Sequence, residues 1–285
     1  MRPLVTMAVL LGAGCDQVFG LTRSSAAIDA STSDEGLVDA GTACPALGGT
    51  PTFSMTLHLR ATGCAEYNAS TTGRAVANCT GVVSEGPAAG PLIPVVGLES
   101  MQGLMHDASR MVPEGDLLFV REWNTQTVFS RILVERRLPG DTFAFERENT
   151  VSGMTLDTSA RFGVPTRGPV RRMLLRNRQA LVELAIDALG AASVMTTYTE
   201  NDLGVDNVAL VPNLSADGLQ MVFGGSGTPG GSGVYYADRA SLGDRFGAAR
   251  RVGSVPYSYD PWLGEACSEL AFSVGTSVYA VDAAP

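Results

Sequence analysis

The two imidazoles in the chain, His58 and His106, are the side chains that could serve as the base of a Ser-His-Asp hydrolase. His106 stands beside Asp107, but adjacent residues on a strand point to opposite faces, so this pair is no dyad by itself. No Gly-x-Ser-x-Gly elbow accompanies either histidine. The nearest match, Gly224-Gly225-Ser226-Gly227, falls in a Gly-rich loop, residues 224–233, expected between two strands, and lacks the strand-turn-helix setting of such an elbow. All 20 basic residues are arginine. The absence of lysine excludes Schiff-base chemistry, Ser-Lys dyads and the phosphate-loop lysine. Asp202, Asp206 and Asp217 could offer oxygens to calcium from neighbouring loops, although scattered loop carboxylates are as a rule simply hydrated. Calcium is the one cofactor left open and none is required. Arg167, Arg171, Arg172, Arg176 and Arg178 either ring a channel or face water, and water is the expectation.

Five cysteines are present: Cys15, Cys44, Cys64, Cys79 and Cys267. None of the spacings is Cys-x-x-Cys and neither histidine lies near them, which disfavours zinc. If Cys15 is used elsewhere, Cys44, Cys64, Cys79 and Cys267 form an even set suited to disulfides, with three pairings open and buried free thiols as the alternative. Cys15 does have another use. Arg2, the apolar run Leu4 to Leu11 and the small residues Gly12-Ala13-Gly14 lead directly to it, and this resembles a bacterial lipoprotein signal, with Gly12 where leucine is common. The start Cys15-Asp16-Gln17-Val18-Phe19-Gly20-Leu21 is similar to that of myxobacterial lipoproteins. The resemblance implies residues 1–14 as a signal peptide, Cys15 as the lipid attachment site and residues 15–42, rich in Ser, Thr, Ala and Asp, as a flexible tether. A plain secretory signal and an N-terminal strand are the alternatives. The apolar run is too short to span a bilayer, so the anchor would hold the protein at a membrane surface.

The chain has 285 residues, 45% of them apolar, enough for one large all-β domain or two smaller ones. A net charge of -9 argues against nucleic acid as a partner. Asn68-Ala69-Ser70 and Asn213-Leu214-Ser215 match the glycosylation pattern, which a bacterial source would make coincidental.

The elements that must position any site emerge from an internal repeat. Pro212-Asn213-Leu214-Ser215-Ala216-Asp217-Gly218 enters a tight turn and leaves as the apolar run Met221-Val222-Phe223, with Val234-Tyr235-Tyr236 as the next strand. At an offset of 49 residues Leu214 falls on Leu263, Met221 on Leu270 and Phe223 on Phe272, while Asp217-Gly218 becomes Ala266-Cys267. An earlier copy runs Met111-Val112-Pro113-Glu114-Gly115 to Phe119, with Glu114-Gly115 in the turn. A weaker one covers residues 164–186 with Gly168-Pro169 in the turn; there residues 176–189 could pass for a helix by propensity, but the repeat demands strands. Asp217, Gly218, Glu114 and Gly115 are thus turn-forming residues, the glycines supplying positive φ and the acids accepting backbone N–H groups. Trp123 and Trp262 are read as packing between repeats.

This pattern resembles the WD40-like repeat of TolB-type propellers, over roughly residues 100 to 285. The resemblance implies an all-β fold, a β-propeller of about five to six four-stranded blades across residues 43–285. The chain stops soon after the second strand of its last repeat, so N-terminal strands are expected to complete the C-terminal blade; Thr52 to Arg60, apolar and polar by turns, is the candidate. The expected function is a non-catalytic binding or scaffolding module. It would be a monomer, periplasmic or at the cell surface on the inner or outer membrane, contacting the membrane through its lipid and an envelope protein or glycan otherwise. The alternative is a propeller hydrolase or lyase, lactonase- or glycosidase-like, with a central metal or carboxylates.

Overall fold

In the computed structural model the described residues are 44–96, 98, 105–124, 129–156, 159–177, 180–189, 191–208, 212–227, 230–253, 255–256, 258 and 260–284. The signal, Cys15 and the tether lie outside them. The clustering of contacts separates residues 40–285 as a unit, and the description concerns that unit.

Apart from one short helix and a 3-10 turn, the regular elements among the described residues are strands, in sheets of four, eight, five and four that the chain lays down as successive blades. The chain begins with β1 (His58–Thr62) and then lays down the first blade, β2 (Cys64–Ala69), β3 (Arg74–Cys79), β4 (Val82–Pro87) and β5 (Ile93–Pro94). The second blade is β6 (Met105–Met111), β7 (Leu117–Asn124), β8 (Phe129–Leu138) and β9 (Thr142–Val151). The third is β10 (Arg161–Phe162), β11 (Arg171–Asn177), β12 (Ala180–Ile186) and β13 (Ala191–Tyr198), so of the stretch that could pass for a helix residues 176–177 and 180–186 are strand, as the repeat demanded, and residues 187–189 leave it in a turn. After α1 (Glu200–Leu203) come β14 (Asn207–Val208), β15 (Asn213–Leu214), β16 (Gln220–Gly227), β17 (Gly231–Asp238) and β18 (Arg250–Arg251) of the fourth. The fifth has β19 (Trp262–Leu263), β20 (Glu269–Val274) and β21 (Ser277–Asp282), and its fourth strand is β1, antiparallel to β21. The expected completion by the N-terminus is therefore present. Its location is corrected, however: the regular strand is His58–Thr62, Phe53 makes only an isolated bridge to Ala283, and Met55, Leu57 and Leu59 are exposed. Period-two alternation marks two faces and does not say which one is covered.

Five clusters of buried side chains lie between successive blades and make the group a closed ring. Val76 meets Leu118 and Val120 between blades one and two; Phe119 and Val134 meet Met173 and Leu175 between two and three. Leu174 and Tyr198 pack on Met221 and Phe223, then Val222 and Tyr236 on Leu270 and Phe272. Ala271, Val278 and Trp262 close on Tyr67, Ala75 and Ala77 of blade one. The Leu, Met and Phe positions that recur in the sequence are these seam residues. At the rim β9 also pairs in parallel with β13 through Ala191 and Ala192, joining two blades into one eight-stranded sheet.

Polar clamps repeat along with the apolar faces. Arg137 donates through Nε to the carbonyl of the turn glycine Gly115 (2.8 Å), reaches Glu85 of the preceding blade at 2.6 Å and lies over the Phe143 ring. Arg239 does the same two blades on: Nε to the Gly218 carbonyl (2.9 Å), Nη2 to Glu183 (2.8 Å), and the guanidinium over Phe246. Burial would raise the Glu183 carboxyl, but the hydrogen bonds from Arg239 and Arg172 outweigh it and hold the group below its ordinary range. In blade five the turn glycine is replaced by Cys267, which keeps the positive φ (58°) and is disulfide-bonded to Cys44. The other bridge joins the facing residues Cys64 and Cys79 on β2 and β3.

Several sequence readings are revised. Gly224 to Gly227 and Gly231 to Gly233 are strand and not loop, because a Cβ at Gly225 would meet the Asn207 carbonyl at 2.7 Å and one at Gly233 the Arg251 side chain at 2.6 Å. Arg172 pairs with Glu183, Arg167 with Glu265 and Arg171 with Glu114; seams between charged turns, more than water, receive them. Arg178 lies outside the described residues.

Two outcomes follow for stability. Arg239→Met should lower the unfolding free energy by about 3 kcal/mol, since it leaves Glu183 buried with one partner fewer, whereas Arg136→Met, whose pairs are exposed, should cost under about 1 kcal/mol; urea denaturation of both variants checks this. Glu135 on β8 is buried, and burial together with Glu122 pushes its carboxyl up to about 7. A carboxyl raised on folding costs nothing at a pH where both states are protonated, and the penalty grows as pH climbs from 4.5 to about 7. Glu135→Gln should therefore raise Tm by a few degrees at pH 8 and leave it unchanged at pH 4, as read by calorimetry.

Candidate functional site

The ring has two mouths, and the repeat turns crowd one of them. Ser215 donates to Asp217 Oδ1 (2.6 Å), which also accepts from the Leu219 N–H (3.0 Å), while Gly218 takes φ 74°. Glu114 reaches across to the third blade, accepting from Arg171 (2.9 Å) and the Gly168 N–H (3.4 Å). These are bonds between turns, and they use the acids for architecture. A further copy of the turn, Ser70-Thr71-Thr72-Gly73, sits in blade one, with Gly73 at φ 75°. The shared Asn-x-Ser-x-x-Gly at 68–73 and 213–218 carries this signal, beyond its coincidental match to the glycosylation pattern. Both asparagines are in fact buried and bond backbone of adjacent blades, Asn68 to Met111 and Asn213 to Pro261 and Val164.

At the opposite mouth, between blades one and five, lies a cavity of about 520 Å³. Its walls are the start of β2, the β3–β4 hairpin and the β20–β21 hairpin, presenting Asn78, Thr80, Ser273 and Thr276, and its floor holds three carboxylates, Glu66, Asp107 and Asp260. Two facing bulges aim Glu66 and Asp107. The register of β2 against β3 shifts between Ala65 and Asn68, and that of β6 against β7 between Asp107 and Arg110. Within them Glu66 (φ 58°) and Ala108 (φ 47°) occupy the left-handed region that side chains seldom adopt, and Glu66 accepts from the Ala108 N–H at 2.7 Å. Strain of this kind persists where surrounding structure imposes it, and it gathers at working sites.

Arginines answer the acids one by one. Arg121 takes both oxygens of Asp107 at 2.5 Å, and Arg161 stands 3.4 Å from Asp107 and 4.0 Å from Glu66. Arg110 reaches Asp260 at 3.2 Å. Burial, then the nearby Glu66 charge, push the Asp260 carboxyl up to about 7 against the opposite pull of Arg110 and Arg161.

The residues singled out for chemistry in the sequence are elsewhere. His58 meets Asp282 on the exposed edge of blade five, and His106 meets Glu122 while Asp107 turns to Arg121, as alternation along a strand requires. Asp202 caps α1 through Thr199 and pairs with Arg245, Asp206 lies beyond that helix, and Asp217 serves its turn. Among the described residues no group of three or more His, Cys, Asp or Glu is arranged to hold a metal ion. Trp262 packs edge-on against Tyr67 across the closing seam, and Trp123 lies under Arg121 of its own strand. Sequence reasoning missed Glu66, Arg110, Arg161 and the role of Asp260, because a bulge leaves no periodic trace and these positions do not recur in the copies.

No family model matches the chain, and no curated protein matches its sequence. Solved structures do. A Bacteroides thetaiotaomicron protein named for an expected glycosidase activity aligns with a TM-score of 0.51 at 10% identity, over 81% of this chain and 93% of its own. An Agrobacterium tumefaciens protein named for an expected TolB role gives 0.48 at 16% identity, over 74% and 69%. A gluconolactonase of Xanthomonas campestris gives 0.46 at 11%, over 76% and 71%. Proteins named TolB are among the structural neighbours, and at these identities the likeness is one of fold.

Proposed function

We propose that the protein is a non-catalytic binding module, exported and held at the cell envelope by lipid on Cys15, whose ligand seat is the cavity between blades one and five. The observation that carries this reading is the engagement of each floor carboxylate by the chain itself. Asp107 gives both oxygens to one guanidinium, Asp260 faces Arg110, and Glu66 is held by a backbone N–H and flanked by Arg161. A carboxylate acting as nucleophile or base needs an open lone pair and its basicity; the bidentate arginine occupies one lone pair on each oxygen of Asp107 and lowers its basicity. Asn78 and Thr276 on the wall remain for a polar ligand, and the Thr80 hydroxyl, which donates to the Cys79 carbonyl (2.7 Å), keeps its lone pairs. Two disulfides support an oxidising compartment.

A Cys15→Ala variant should move from the membrane to the soluble fraction; retention in the membrane overturns the anchor. An envelope partner recovered with the wild-type chain should be lost with Thr80→Trp, which fills the cavity, and kept with the surface control Arg136→Ala.

One observation favours the second reading. Asp260, protonated near neutrality beside carboxylates held by arginine, has the character of a general acid, the component a glycosidase or lactonase requires. Turnover of aryl glycosides or aldonolactones by the wild type, abolished in Asp260→Asn, would transfer the assignment to a hydrolase.

A further inference from the structure

Asp260 stands two residues before Trp262 of β19, and its side chain is 5% exposed. The charged groups facing it come from three other blades: Glu66 on β2, Asp107 and Arg110 on β6, and Arg161 on β10, with Arg121 of β7 behind Asp107. Of these Arg110 makes the direct contact, through Nη2. The same guanidinium gives Nη1 to the carbonyls of Glu66 (2.9 Å) and Ser109 (3.0 Å), and its Nε has no acceptor. Arg110 therefore yokes blades one, two and five at the axis, and the charge on Asp260 sets the strength of its hold on blade five. Glu66 cannot swing aside to relieve the crowding, since the Ala108 N–H pins it within the paired bulges.

We propose that Asp260 is a proton-operated latch at the ring axis: ionised, it draws Arg110 onto blade five and adds a negative charge to the cavity floor; protonated, it surrenders that ion pair and lets the segment leading into β19 relax. The proton has a route, because Asp260 lines the open cavity. Burial and Glu66 place the exchange near neutral pH. The sign for global stability runs the other way from the local tie. A carboxyl raised on folding adds stability fully at acid pH and loses it as pH climbs toward about 7, so the ionised latch is gained at the cost of keeping a charge buried. The latch operates on the ring itself, whatever ligand the cavity takes.

Trp262, buried and edge-on to Tyr67 at 6.1 Å, is the reporter. In a chain carrying Trp123→Phe, His58→Gln and His106→Gln, which removes the second indole and both imidazoles, Trp262 emission should change sigmoidally between pH 5 and 8.5. The expected midpoint lies within about one pH unit of 7. Asp260→Asn should abolish the transition. Glu66→Gln should move the midpoint toward acid pH, since ionising Asp260 is easier without a negative neighbour; this variant keeps the shape of the side chain and decides the matter if Asp260→Asn fails to fold. A flat wild-type profile, a transition that survives Asp260→Asn, or a midpoint unmoved by Glu66→Gln overturns the latch.

Discussion

A ring of sheets has no end face, so every blade must bury two apolar surfaces and meet two neighbours at once. That closure constraint governs the rest of the molecule. It makes β1 leave the chain's start to complete the last blade, it places an apolar cluster in each of five seams, and it brings inner strands from all sides to a narrow axis where side chains from distant parts of the sequence have to coexist. The axial charges are the costliest product of this crowding. Three carboxylates and three arginines share the centre because burial there is tolerable only for charges that are paired.

The seams show how a degenerate repeat keeps one geometry with changing chemistry. Where the turn glycine is present, as at Gly115 and Gly218, its carbonyl orients an arginine that reaches back to a buried glutamate. Where the glycine is lost, at Cys267, the left-handed backbone survives and a disulfide ties the seam. In the resting architecture ion pair and covalent bond do the same work of keeping one blade against the next.

What was legible in the sequence was the part that recurs. Leu214, Met221 and Phe223 repeat as Leu263, Leu270 and Phe272 because each faces a seam, and the seam is the unit being copied. Harder to read was blade one: Ser70-Thr71-Thr72-Gly73 has threonine in the place of the acid, and its Asn-x-Ser, set aside as a coincidental match to the glycosylation pattern, is a buried inter-blade tie. The cavity was not legible at all. Asp260, Glu66 and Arg161 are separated by roughly a hundred residues each, and Glu66 and Asp107 are turned inward by two bulges that give no pattern of their own. The apolar stripe of Met55, Leu57 and Leu59 was visible, but alternation does not say which face is covered, and these side chains are exposed.

The Cys44–Cys267 bridge has a mechanical consequence. Cys44 precedes β1, the strand whose pairing with β21 closes the ring, and β1 on its own is a short edge strand that tension could peel away one hydrogen bond after another. A pull on the chain ahead of Cys44 is instead delivered through sulfur to the turn of blade five, upstream of the closing strand. The force path bypasses the weakest edge of the ring, and the molecule can be tugged from its amino-terminal side without being unzipped.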